Sequence, residues 1–262
     1  MPELHWRPLS PAISRLFRRA LWEPWLVIHR ESLEERDATR PLDWRPLVVL
    51  VTTALTLTLQ EYIGRRSVFR AIVPDPPGGA AYAELAGFTW WAAWRVITYV
   101  VLPAIAIAAM PGEHILDYGL TTRGFTRHVR TYGALLLALL PLLVAASTLD
   151  AFQLKYPLYA LAGRSALDFA AWEALYALQF LGLEFFFRGF MLHGLKRAIG
   201  AHAIWVMVVP YCMIHYGKPV PETLGAIVAG LVLGTVALRT GSIWLGVLIH
   251  CTVGLVMDVL CL

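Results

Sequence analysis

Long apolar runs separated by short polar breaks form the dominant pattern of this chain. Each run is bounded by charged residues, proline or glycine, which are typical of helix ends. A helix needs about 20 largely apolar residues to cross a bilayer, and several runs approach that length. The windows lie at about 46–63, 88–110, 132–149, 169–187, 200–216, 221–238 and 241–261. We therefore predict an all-α, polytopic transmembrane bundle of about seven spans.

Two segments outside these windows have patterns of their own. Residues 12–29 carry apolar side chains at intervals of three and four, with arginines between them, which predicts an interfacial amphipathic helix; a solvated tail is the alternative. Residues 64–87 are too polar and too broken by proline and glycine to span, so we expect a re-entrant or surface segment. The predicted organisation is a cytoplasmic N-terminal segment over 1–44 and one membrane bundle over 45–262.

The composition agrees with a membrane location. The chain is 58% hydrophobic and only 15% charged, and its mean hydropathy is +0.61, whereas soluble domains have about 25% charged residues. The net charge of +4 is modest, so the expected partner is the lipid bilayer and no nucleic-acid partner is expected. The three cysteines lack metal-ligand spacing, and they indicate neither a disulfide framework nor a zinc knuckle.

The distribution of lysine and arginine indicates the orientation. These residues concentrate in the N-terminal tail and in every second loop after it, and short loops rich in them stay in the cytoplasm. We expect an integral protein of a bacterial cytoplasmic membrane whose N-terminus faces the cytoplasm. An odd number of spans would place the C-terminus on the other side.

Four ionisable side chains interrupt the apolar windows, namely Glu184, Arg188, His215 and His250. A titratable group at membrane depth is costly and usually faces a protein interior or a water-filled cavity. Glu184 and Arg188 stand four residues apart, which places them on one helical face within reach of an ion pair. We predict that the four groups converge on a polar chamber. An ion pair that only ties helices together, and a purely structural histidine, are the alternatives.

Two further residues share a helical face with these groups. Tyr211 lies one turn before His215, and its ring is predicted to pack against and orient the imidazole. Asp258 lies two turns beyond His250 on the same face. Tyr211 and Asp258 are therefore candidates for contact with a substrate.

Small residues in the sixth window indicate close helix packing. Gly225, Gly230 and Gly234 recur at intervals of five and four residues, and small side chains let neighbouring helices approach closely in membranes. We predict that this helix brings the His215 and His250 segments together around it.

Together these elements resemble the CPBP family of intramembrane proteases, which includes the CAAX-prenyl endopeptidases and the bacteriocin-immunity and abortive-infection proteins. The family pattern is Glu-Glu-x-x-x-Arg, then Phe-x-x-x-His, then His-x-x-x-Asn or Asp, on successive helices. Glu184 and Arg188 match the first element. His215 matches the second, with Tyr211 in place of Phe, and His250 matches the third.

The resemblance covers about residues 165–262 and departs from the pattern at two positions. The first Glu of the pair is Leu183 here, and the position four beyond His250 is Gly254. Asp258 lies on the right face to replace the missing side chain, but further along the helix. The chain is thus similar to a variant of the family with a single Glu in the first motif.

The resemblance implies an intramembrane endopeptidase that hydrolyses a peptide bond of a membrane-associated protein or peptide, of which a prenylated peptide is one candidate. In the implied mechanism, Glu184 and His215 hold and deprotonate the attacking water. His250 stabilises the oxyanion or protonates the leaving amine, and Arg188 positions Glu184.

The use of a metal is left open by the resemblance. Glu184, His215 and His250 could supply three ligands for Zn²⁺, with water as the fourth. The chain has no His-Glu-x-x-His spacing, so metal-independent water activation is slightly favoured.

Two functions from other classes also remain open. A non-catalytic immunity or scaffold protein would bind a peptide or partner in the same chamber without cutting it, and Leu183 in place of the first Glu favours that alternative. A proton-coupled transporter would also bury Glu, Arg and His, but the two halves of the chain show no repeated pair of interrupted helices.

Overall fold

The computed structural model describes residues 18–34, 43–76, 78–122 and 125–262, and these residues form a bundle of helices. The helices are α1 (Glu23–Glu34), α2 (Arg45–Tyr62), α3 (Arg66–Ile72), α4 (Ala80–Ala109), α5 (Phe125–Ser147), α6 (Ala166–Ile199), α7 (His202–Met213), α8 (Val220–Thr240) and α9 (Trp244–Leu260). A π-helical turn, Arg18–Trp22, precedes α1, and a one-turn helix, Asp150–Gln153, follows α5. The predicted all-α, polytopic bundle is confirmed, because each apolar window coincides with a helix.

The helices differ in whether they are long enough to cross a membrane. Four of those described, α4, α5, α6 and α8, meet the requirements of length and hydropathy. Helices α2 and α3 meet them only together, and they are bent by 55° at the break between them, as in a broken span or a re-entrant segment. Helices α7 and α9 have 12 and 17 residues. The described residues therefore hold four or five full-length spans and two shorter apolar helices.

The N-terminal helix lies against the bundle. Residues 12–17 of the predicted amphipathic segment lie outside the described residues, while the π-helical turn and α1 cover the rest of it. Ile28 is buried in the main hydrophobic core. The Trp25 ring stacks on His29 at 5.2 Å between centroids, and His202 at the start of α7 meets His29 edge-on at 4.9 Å. Helix α1 therefore packs where α6 ends and α7 begins.

Helix α6 is the centre of the bundle. Ser165 caps its first turn by accepting a hydrogen bond from the Asp168 backbone N–H at 3.1 Å. Seven residues in its middle, Phe185–Met191, are π-helical, and all of them are buried. A π-helical turn inside a regular helix carries extra i→i+5 bonds and is frequent at functional sites.

The packing of α8 and α9 differs in part from the sequence prediction. A methyl group added at Gly230 would stand 2.8 Å from Val208, and one at Gly234 would stand 3.1 Å from Met207, so both glycines let α8 approach α7 closely. Gly225 instead faces open space. Helix α9 packs mainly between α5 and α6 rather than on α8. Helix α8 is thus the close neighbour of the His215 segment, and it shares with the His250 helix one hydrophobic cluster that includes Leu233, Leu245 and Ile249.

Polar contacts mark the two ends of the bundle. At one end, which we call the Glu113 end, Arg45 donates to Glu113 at 2.9 Å and Arg197 lies 3.4 Å from the same carboxylate. At the other, the Lys218 end, Lys155 donates to the Gly217 carbonyl at 2.9 Å. These contacts tie the loops to one another at each end.

Candidate active site

The Glu184 carboxylate is the most deeply buried charge of the site. Glu184 is the last residue of the regular part of α6 before its π-helical turn, and its side chain is 0% exposed. The fully buried Arg188 places Nη1 3.2 Å from Glu184 Oε1, and its guanidinium lies 4.0 Å over the Tyr211 ring. Opposite charge and a cation–π contact thus compensate two ions that would otherwise be very costly to bury.

His250 of α9 completes this buried contact. Its Nδ1 lies 2.8 Å from Glu184 Oε1, which is hydrogen-bond distance, although the angle departs from that of a well-formed hydrogen bond. A carboxylate can only accept, so this approach requires the proton on Nδ1. The remaining Nε2 lies 3.0 Å from the Tyr211 hydroxyl. Phe180 stacks on the imidazole with 5.4 Å between ring centroids.

His215 lies just beyond the end of α7, in the turn that leads to α8. Its Nδ1 lies 2.8 Å from the Tyr211 carbonyl oxygen. A carbonyl oxygen only accepts, so Nδ1 carries the proton and the neutral ring keeps a lone pair on Nε2. The Thr223 hydroxyl donates to the His215 carbonyl at 3.0 Å and holds the turn in place. The Tyr211 ring packs edge-on against His215 at 4.9 Å, so one tyrosine contacts both histidines.

Both imidazoles line one cavity of about 70 Å³. The cavity lies between α4, α6, α9 and the turn after α7, and Glu184 stands behind His250 rather than on its wall. The lining residues are Trp91, Arg95, Leu158, Tyr176, Gln179, Phe180, Leu183, Ile214, His215, Lys218 and His250. The predicted groups therefore come together, but Glu184 meets the cavity through His250 and not through His215.

Comparison with known protein families finds a match for residues 165–256. This segment matches the family model described as type II CAAX prenyl endopeptidase Rce1-like. The match supports the resemblance to the CPBP family that the sequence motifs indicate. The matched segment contains all four of the charged or titratable groups described above, and it supports a CAAX-type intramembrane protease fold in an integral membrane protein. No curated protein and no solved structure matches the chain.

The two departures from the CPBP pattern have distinct structural settings. Leu183 stands on the cavity wall, so the carboxylate that the pattern has at this position is replaced by an apolar surface. Gly254 lies against α6, where an added methyl group would stand 2.8 Å from the Phe180 ring and 3.1 Å from the Tyr176 ring. The space that Asn or Asp would need is therefore filled by the aromatic ring that stacks on His250.

The two candidates for substrate contact lie off the cavity wall. Asp258 is fully buried, and it accepts a hydrogen bond of 2.5 Å from Trp172 Nε1 near the start of α6. Tyr211 is also buried and reaches the cavity only through the two imidazoles. The sequence analysis did not single out Phe180 or Gln179. Arg95, a charge inside an apolar window, is predicted from the sequence to snorkel to the interface or to pair internally.

The donor set does not fit a metal ion. Among the described residues, no group of three or more His, Cys, Asp and Glu side chains could hold one. The reason is local, because the Glu184 carboxylate faces Arg188 and His250 Nδ1 and does not line the cavity that the two imidazoles share. No reaction step is therefore assigned to a metal.

A polar group lies beside the cavity at the Lys218 end. Lys218 donates to Glu222 at 2.7 Å and to the Tyr156 hydroxyl at 3.1 Å. The same hydroxyl lies 2.8 Å from the Glu222 carboxylate. Burial raises the pKa of the Tyr156 phenol, and the adjacent carboxylate raises it further. Tyr156 therefore stays protonated and donates to the Glu222 carboxylate, whose charge Lys218 neutralises.

Proposed function

We propose that this protein is an intramembrane endopeptidase that hydrolyses a peptide bond of a membrane-associated protein or peptide. The observation that carries the proposal is the pair of imidazoles on one cavity, with His250 contacting the buried Glu184 and His215 holding a free Nε2 lone pair. The family match supports the choice of a peptide bond. A peptide with a prenylated cysteine near its C-terminus is the first substrate to test.

The roles of the two histidines follow from their proton positions. His215 accepts a proton on Nε2 from the water molecule that attacks the carbonyl carbon. His250, protonated on both nitrogens and facing the Glu184 carboxylate, donates from Nε2 to the carbonyl oxygen as negative charge develops there. The same group then transfers its Nε2 proton to the leaving amine as the C–N bond breaks. His215 releases to solvent the proton it took from water, and His250 regains a proton from solvent.

Glu184 and Arg188 act through His250 in this scheme. The carboxylate lies 2.8 Å from Nδ1, which fixes the proton on that atom and orients Nε2. Arg188 holds the carboxylate in place from the next turn of α6. Tyr211 keeps the Nε2 atom oriented until the substrate oxygen replaces its hydroxyl. The protein is further proposed to lie with its N-terminus in the cytoplasm, as the distribution of basic residues predicts.

A non-catalytic role as an immunity or scaffold protein is the second candidate, because Leu183 makes the cavity wall apolar where the CPBP pattern has a carboxylate. Such a protein would bind a peptide in the cavity and release it intact. The two functions differ in whether the histidines are needed for product formation.

The deciding experiment uses the full chain in liposomes and a fluorogenic peptide with an S-prenylated cysteine. We expect Glu184→Gln, His215→Ala and His250→Ala each to lower the rate of hydrolysis by about 100- to 10,000-fold, the usual range for loss of an acid–base group. The exposed His114 supplies the control, and His114→Ala should retain the full rate. Hydrolysis that persists in both the His215→Ala and the His250→Ala proteins would contradict the proposed endopeptidase mechanism. Peptide binding without hydrolysis in the unaltered protein would favour the scaffold.

A further inference from the structure

Arg95 is a charge in the middle of a membrane-spanning helix. It belongs to α4, an apolar span of 30 residues, and it lines the same cavity as His215 and His250. Its Nη1 donates to the Tyr99 hydroxyl at 2.8 Å and to the side-chain oxygen of Gln60. Both partners are neutral. The guanidinium thus carries a full positive charge that these hydrogen bonds orient but do not neutralise.

Three other cations near the site are paired with acids. Arg188 lies 3.2 Å from Glu184, Lys218 lies 2.7 Å from Glu222, and Arg164 lies 2.7 Å from Asp168. Arg95, by contrast, forms no ion pair with any described residue. Its Nε and Nη2 donate to no described group either, and they are not sealed from the cavity.

The wall of the cavity supplies no acid from another direction. Neither aspartate nor glutamate occurs among its lining residues within the described part of the chain. Aromatic rings give the only partial compensation there, since the guanidinium carbon lies 5.3 Å from the centre of the Trp91 ring and 5.4 Å from that of Tyr99 among the described residues. An ion without an acid partner at membrane depth is costly and marks a functional position by default. The missing negative charge is therefore expected on the molecule that enters the cavity.

We infer that Arg95 binds a carboxylate of the substrate and so determines which peptides are cleaved. This inference rests on the proposed function only in taking the ligand to be a peptide. A guanidinium with one edge held by Tyr99 and Gln60 presents its remaining N–H groups as a fork, which is the geometry that a carboxylate accepts. Arg95 is thus a specificity-determining residue that lies outside the segment matched by the family model.

The size of the cavity limits where that carboxylate lies in the peptide. Arg95 and the two histidines share a space of about 70 Å³. A carboxylate bound to Arg95 is therefore within a few residues of the peptide bond held between the imidazoles. Either the C-terminal carboxylate of a short leaving fragment or an acidic side chain beside the cleaved bond meets this requirement.

The test measures binding to the Glu184→Gln protein in nanodiscs of neutral phosphatidylcholine. The probe is a fluorescent peptide with an S-farnesyl cysteine at the fourth position from its end, prepared as the free acid and as the C-terminal amide. We expect the acid to bind roughly 10- to 100-fold more tightly, which corresponds to one charged hydrogen-bonded contact. Both of these peptides carry a Gln near the C-terminus. A third peptide is the C-terminal amide with Glu in place of that Gln, and its binding shows whether an acidic side chain can supply the carboxylate.

Three further variants assign the effect to Arg95. Arg95→Gln should abolish the preference, Arg95→Lys should keep part of it, and Lys218→Gln should keep most of it because Glu222 already neutralises Lys218. Thermal unfolding of each variant identifies any that fails to fold. If Arg95→Gln fails, the preference of Arg95→Lys for the acid peptide is compared with that of the parent protein instead. Equal binding of all three peptides to the parent protein, or a preference that persists in Arg95→Gln, overturns the inference.

The design separates this inference from the proposed function. A preference that depends on Arg95, found in a protein that hydrolyses no peptide, leaves carboxylate recognition intact and rejects the endopeptidase. Hydrolysis that requires His215 and His250 but is equally fast for acid and amide peptides supports the endopeptidase and rejects carboxylate recognition by Arg95. An Arg95-dependent response to phosphatidylglycerol, with equal binding of all peptides, would assign the site to a lipid and overturn the inference.

Discussion

Gly246 of α9 lies directly against the carboxylate of Glu184. A methyl group added at this glycine would stand 2.7 Å from Glu184 Cδ and still closer to Oε2. The absence of a side chain at 246 therefore gives the carboxylate the room in which it meets His250, one turn further along the same helix. No sequence motif indicated a role for this residue.

We expect Gly246→Ala to displace Glu184 and lower the hydrolysis rate at least about 100-fold, as loss of an acid–base group does. The unfolding free energy should fall by about 1–3 kcal/mol because the contact is overpacked. Gly225→Ala is the matched control, since Gly225 faces open space; it should leave the rate unchanged and stabilise the helix by up to about 1 kcal/mol. A fully active Gly246→Ala protein would mean that the Glu184 position is not needed.

Tyr211→Phe removes one hydroxyl and keeps the ring that packs on His215 and Arg188. We expect the rate constant kcat to fall by about 10-fold with little change in KM, because the lost contact orients His250 and does not touch the substrate. Stability should change by about 1 kcal/mol, the net value of one hydrogen bond. Tyr216→Phe, which alters an exposed phenol beyond the same helix, is expected to have neither effect.

The Glu184–Arg188 pair should behave as one energetic unit. Arg188→Met leaves a buried carboxylate without its main partner, and we expect a loss of about 3–5 kcal/mol in the unfolding free energy. The double variant Glu184→Gln, Arg188→Met should lose less than the sum of the two single changes. Unfolding in a detergent series measures all four proteins. Additive losses would show that the two charges do not compensate each other.

Gly254 and Phe180 should likewise be coupled. Restoring the CPBP residue with Gly254→Asn forces its side chain into the Phe180 and Tyr176 rings, and we expect about 1–3 kcal/mol of destabilisation. Phe180→Ala alone costs about 3–5 kcal/mol, as the loss of a buried ring does. Combined, the two changes should cost less than their sum because the asparagine fills the vacated space. Strict additivity in a thermal unfolding series would reject this compensation.

Variants at and beside Asp258 can show whether this residue contacts the substrate or only stabilises the fold. Trp172→Phe removes the donor that holds this carboxylate, and the buried acceptor left behind should cost about 1–3 kcal/mol. If Asp258 only supports the fold, Asp258→Asn changes stability and leaves KM unchanged. A rise in KM for Asp258→Asn in a protein of normal stability would instead support the contact with substrate that the sequence predicts.

The helices could be predicted from the sequence because an apolar run of spanning length allows few other structures. Their ends could not. Helix α6 continues to Ile199 through Lys196 and Arg197, well beyond the window that ends at 187, since helical hydrogen bonds do not require apolar side chains. Helix α7 stops at Met213 and leaves His215 in a turn, where the apolar pattern alone predicts a continuous span.

The residues of the candidate site were predicted from motifs, but their mutual contacts were not. Periodicity shows which residues share a face of one helix and not which helix that face meets. Asp258 illustrates the limit, because it lies near the His250 face and contacts Trp172 at a different level of the bundle. Gly246 and Phe180 contribute through shape alone, and shape becomes visible only when α9 and α6 are packed together.

The cavity lies toward the Lys218 end of the bundle, since Leu158 and Lys218 belong to its wall, and the Glu113 end is remote from it. If the basic N-terminal tail remains in the cytoplasm, the cavity lies on the side of the opposite compartment. Proteins made in the cytosol would then reach the histidines only after export or from within the outer leaflet. The topology of the bundle would thus restrict the pool of substrates before any side chain recognises them.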